Sequence, residues 1–155
     1  MSSMIGYDAC GVANYFLTLG QQERIPLDPM KVQKLVYLAH GWSLALRGKP
    51  LIRQSVEAWP YGPVIPQLYK EFQEFRASPI TRHAQADGLV FEPDVAAFLQ
   101  SVWNTYKQYN ALQLSALTHE PGSAWDVAMK NQGWLRPTIP NELIASEFLR
   151  RKQQG

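Results

Sequence analysis

The sequence predicts a mainly α-helical fold: one compact domain of about six helices around a central buried helix, with two or three short extended segments. Three observations carry this. Apolar residues recur at helical spacing, as in Ala9, Val12, Ala13, Phe16 and Leu17. Helix-start signals recur at Asp28-Pro29, Pro66, Pro93-Asp94, Asn110 and Ser123. The stretch from Pro29 to Leu46 is apolar on most of its circumference, which marks a helix covered by several neighbours.

In chain order, the first helix is expected from Asp8 to Leu19, with Gly20 as its stop. Cys10 lies beside its apolar stripe and reads as a small structural thiol, since no base stands nearby in sequence to activate it. Asp28 as cap and Pro29 at the first position open the second helix, which ends before Gly48. Val32, Leu35, Val36, Ala39, Trp42 and Leu46 form its wide apolar face. Gln33, His40 and Arg47 make a narrow polar strip, read as structural groups in need of partners. Lys31 and Lys34 read as a solvated edge.

A short strand is expected near Val56–Trp59. The corner Pro60-Tyr61-Gly62-Pro63 follows, with Pro60 at the second and Gly62 at the fourth position of a turn. The next helix, Pro66 to Arg76, buries Leu68, Tyr69, Phe72 and Phe75. Residues 81–92 read as a long loop with an extended piece at Leu89–Phe91. A helix from Pro93 to Tyr109 and a short one from Ala111 to Thr118 come next. Pro121-Gly122 is a turn, and Ser123 with Asp126 resembles a capping box for a short helix. Ile139 before Pro140 is extended, and the last helix runs from Asn141 to Arg151. Arg150-Arg151-Lys152 reads as a solvated helix end in a short terminal tail.

Composition narrows the function. The chain has 155 residues, 46% of them apolar and 18% charged, which fits a soluble globular domain. A net charge of +2 does not mark a nucleic-acid or membrane binder. One cysteine excludes an intrachain disulfide and fits a reducing cytoplasm. No signal peptide or apolar stretch of membrane-spanning length is visible.

Chemistry-bearing motifs are missing. His119-Glu120 begins like a zinc-protease motif, but Ser123 stands where the second histidine belongs, and Pro121-Gly122 forbids the helix. There is no phosphate-binding glycine loop, no nucleophile elbow and no helix-turn-helix signature. The expectation is a protein without catalysis, cofactor or metal, and with nucleic acid as an unlikely partner.

Three separated pieces then match one family. Met-Lys-Val-Gln-Lys-Leu-Val-Tyr-Leu-Ala-His-Gly runs from Met30 to Gly41. Glu-Ala-Trp-Pro-Tyr-Gly-Pro-Val runs from Glu57 to Val64, followed by Pro66 and Tyr69. Leu-Thr-His-Glu begins at Leu117, with Trp125 a short gap later. In order and spacing these resemble the Panacea domain of SocA-type antitoxins and GepA-type phage-associated proteins, over roughly Asp8 to Phe148.

The resemblance implies a helical, cytoplasmic, bacterial or phage-encoded antitoxin that binds a cognate toxin protein directly. It also admits an alternative, a proteolytic adaptor or phage-associated interaction module; a nucleic-acid-binding regulator is a second alternative that the resemblance does not imply. The matching residues Gln33, Lys34, Tyr37, Trp59, Tyr61, Gly62, Pro63, His119 and Trp125 are expected to meet around the second helix. They form either the partner-binding patch or the internal framework.

Overall fold

The computed structural model describes residues 6–86 and 88–154. Among them it is mainly helical, with seven α-helices and three short strands. Helix α1 spans Ala9–Glu23 and α2 spans Pro29–Trp42. Strands β1 (Val56–Trp59) and β2 (Gly62–Val64) precede α3 (Pro66–Phe72). Then come α4 (Pro93–Tyr106), α5 (Ala111–Thr118), α6 (Ala124–Gln132), β3 (Thr138–Ile139) and α7 (Asn141–Gln154).

Every residue of α2 from Lys31 to Gly41 is buried. The helix packs against α1, α3, α4, α5, α7 and β2. Asp28 starts it by accepting a hydrogen bond from Lys31 N at 2.8 Å. Beyond Trp42 the coil widens into a π-helical turn over Ser43–Arg47, and Gly48 ends it at φ 71°. His40, on the buried side, accepts from Leu51 N at 3.2 Å and Ile52 N at 3.4 Å through Nδ1. Its Nε2 lies 3.0 Å from Asn141 Oδ1. A neutral imidazole with its proton on Nε2 satisfies all three contacts. Burial lowers its pKa.

The strands form one antiparallel sheet in the order β2-β1-β3. Trp59 pairs with Gly62, so Pro60 and Tyr61 form a two-residue hairpin loop. The corner is therefore a hairpin rather than a turn leading straight into a helix.

Several expectations are corrected. Gly20 does not stop α1; the helix continues to Glu23 and closes on Arg24 in the left-handed region. Gly20 is glycine because the chain folds back over it: a Cβ there would lie 2.7 Å from Ile25 O. Residues Leu89–Phe91 form no strand. Tyr69 is half-exposed rather than buried.

The basic residues near the end belong to the end of α7 rather than to a tail; Arg150 and Lys152 are exposed as expected, and Arg151 is not. Arg151 bridges to Glu147 at 2.8 Å, donates to Leu117 O and lies over the Phe148 ring. Lys31 and Lys34 are not a solvated edge; they are 6% and 2% exposed. Among the described residues no helix is long and apolar enough to cross a membrane.

Candidate functional site

Helix α2 supplies the floor of the site. The Gln33 amide brackets one residue of the hairpin's exit: its Oε1 accepts from Ile65 N at 2.8 Å, and its Nε2 donates to Ile65 O at 3.4 Å. One turn of chemistry is thereby borrowed from a side chain, because both backbone groups of a buried residue need partners.

Lys34 extends from the same turn. Its Nζ donates to Tyr61 O at 3.4 Å and Pro63 O at 3.3 Å. Among the described residues no carboxylate pairs with it. Burial without a counter-charge pushes its amine down to about 8.

The hairpin is shaped to admit this amine. Gly62 has φ 122°, a region that side-chain-bearing residues avoid. A Cβ there would overlap Lys34 Nζ and lie 3.0 Å from His119 Nε2. Tyr61 contributes its carbonyl to the interior, while its ring is 77% exposed. Trp59 Nε1 donates to Glu57 Oε1 at 2.8 Å, and its ring meets Tyr69 edge-on at 5.1 Å. Arg136 stacks its guanidinium 4.2 Å from the Trp59 ring centroid.

His119 and Trp125 close the third side. The one-turn spacing on α5 brings Ser115 Oγ to 3.1 Å from His119 Nδ1. His119 meets the Trp125 ring edge-on at 4.5 Å. Burial and then the charge of Lys34 lower its pKa, against the pull of the Tyr61 carbonyl. Trp125 Nε1 donates to Trp59 O at 2.6 Å, joining α6 to the hairpin across 66 residues.

Gln33, Lys34, Trp59, Tyr61, Gly62, Pro63, His119 and Trp125 thus lie in one contiguous network. Tyr37 faces a different part of the core. It packs on Phe148 at 5.9 Å, and its hydroxyl has no hydrogen-bond partner among the described residues. Burial raises its pKa well above the ordinary tyrosine value.

Sequence reasoning missed Arg76, Arg136 and Ser115, and placed the Tyr69 ring inside. The Ser115–His119 spacing was visible as an i, i+4 pair; nothing local marked Arg136 as a partner of Trp59.

The network borders a cavity of about 300 Å³. Its lining offers two cations, Lys34 and Arg76, and the rings of Trp59, Tyr61 and Tyr69, and includes no carboxylate; the Ser115–His119 pair lies outside that lining. Among the described residues no cluster of three His, Cys, Asp or Glu is placed to hold a metal ion. The cavity thus joins aromatic area and positive charge beside the hairpin.

Comparison with known proteins agrees with the three motifs. No solved structure matches this chain. The antitoxin SocA of Caulobacter vibrioides (strain NA1000 / CB15N) is 32% identical over 136 residues, covering 81% of this chain and 72% of that protein. The model of the family described as antitoxin SocA-like, Panacea domain, matches residues 32–126, which hold the α2 floor, the hairpin and the His119–Trp125 wall. The chain belongs to the SocA-like Panacea family.

Proposed function

We propose that this protein is an antitoxin that neutralises a cognate toxin protein by binding it directly. The observation that carries the reading is the 32% identity over 136 residues to a curated antitoxin. A rigid hairpin with aromatic rings at its surface supports direct binding, because preorganised groups lose little entropy on association. The role requires no catalysis. We place it in the cytoplasm, which the single buried Cys10 thiol fits. A proteolytic adaptor, a phage-associated interaction module and a nucleic-acid regulator are the competing roles, and no residue arrangement favours them.

Co-expression with the product of the adjacent small gene tests the reading. The expected outcome is rescue of growth and co-purification of the two proteins as a complex. Toxicity that persists at equal expression, with no complex formed, overturns it.

A further inference from the structure

The cavity beside the hairpin is the feature that carries furthest. Trp59, Tyr61, Leu68 and Tyr69 supply apolar wall, and Lys34 and Arg76 supply two positive charges. None of its lining residues is a carboxylate. The acids on neighbouring elements are engaged elsewhere. Asp28 caps α2, Glu57 accepts from Trp59, and Glu71 and Glu74 hold Arg82. Among the described residues no ion pair reaches Lys34 or Arg76.

Burying an ammonium with two long carbonyl contacts and no carboxylate partner carries a desolvation cost. Ionisable groups strained in this way beside a cleft mark functional sites. The low-dielectric wall also lets the Lys34 charge act across the cavity with little screening.

We propose that this cavity is where the toxin anchors, and that it receives an acidic side chain, Asp or Glu, presented by the toxin. This rests on the antitoxin reading and adds the place and chemistry of contact. Arg76 at the rim pairs with the entering carboxylate, in the forked geometry that guanidinium and carboxylate share. Lys34 adds attraction from behind the floor. The Tyr61 and Tyr69 rings, 77% and 48% exposed, close over the pair and exclude water. Arg136, stacked on Trp59, holds that ring in its orientation.

The test uses the full chain and the toxin encoded beside it, with affinity from calorimetry and growth rescue in parallel. Arg76→Glu is expected to keep the melting temperature and to weaken binding at least about tenfold, the scale of a reversed interfacial charge. Lys34→Met is expected to fold, giving up the two carbonyl contacts of the amine, and also to weaken binding. An acidic-to-lysine change in the toxin is expected to restore affinity to Arg76→Glu. If the unaltered protein neither binds nor rescues, the antitoxin reading itself falls. If the unaltered protein binds and the folded Arg76→Glu and Lys34→Met proteins bind within twofold of it, the anchoring site is refuted while the antitoxin reading stands. Should Lys34→Met fail to fold, Arg76→Glu decides alone.

Discussion

The Lys34 ammonium sits where the side chain of residue 62 would begin, and Gly62 leaves that space open at a backbone angle suited to glycine. The helix and the hairpin are 28 positions apart in sequence and are fitted to each other at this point.

Gly62→Ala is therefore expected to be costly. The methyl group meets the amine and the His119 ring, and the backbone is strained as well. The loss should be roughly 2–4 kcal/mol, summing left-handed strain and overpacking. Urea denaturation measures it; a loss below about 1 kcal/mol contradicts the fit.

Tyr61→Ala is expected to leave the fold intact. Its carbonyl serves the interior through the backbone, which the substitution keeps, while the ring is solvent-facing. The stability change should stay within about 0.5 kcal/mol, as for other exposed positions. A drop of several degrees in melting temperature would make the ring a structural lock instead.

Trp125→Phe removes one donor and keeps an aromatic ring beside His119. The Trp59 carbonyl then loses its 2.6 Å partner. A cost of about 1–2 kcal/mol is expected for the unmade hydrogen bond. Trp125→Phe should also speed amide exchange in the hairpin more than in α1, a contrast that hydrogen-exchange mass spectrometry resolves.

Acid should destabilise the protein through His40. Its folded pKa lies below the ordinary value of 6.5, because burial disfavours the cation. The unfolded chain thus takes up a proton near 6.5 that the folded chain resists. The stabilising contribution is full above that pH and is lost as pH falls through the folded pKa. His119 is shifted in the same direction and adds to the slope. Denaturation midpoints between pH 7.5 and 5 are expected to fall steadily. His40→Gln should flatten the decline; an unchanged slope in that variant would assign the acid sensitivity to other groups.

Much of the helical framework was legible because its boundaries are written in local chemistry. Asp28-Pro29 opens α2, Asn110 and Gln113 form a reciprocal capping box on α5, and Ser123 Oγ accepts from Asp126 N at 3.2 Å. Strand β2 was not legible, since Gly62-Pro63-Val64 reads as turn chemistry and becomes a strand only by pairing with β1. Gly20 misled because helix interiors seldom hold glycine; here the crossing of the Ile25 carbonyl requires it. The burial of Lys34 was also hidden. A lysine in mid-helix reads as solvated until the missing side chain that makes room for it is seen on a distant hairpin.

One consequence of the α2–hairpin bonds concerns aggregation. Strand β2 lies at the margin of its sheet, where unpaired backbone groups ordinarily invite another chain. Ala58 donates to Pro137 O on its other side, so Pro63, its partner across the hairpin, turns its backbone outward. Pro63 has no N–H to offer, Lys34 occupies the carbonyls of residues 61 and 63, and Gln33 occupies both groups of Ile65. A helix has taken the seat of a fourth strand. A foreign strand finds no vacancy there, so overexpressed chains have no template at this margin for stacking into fibrils.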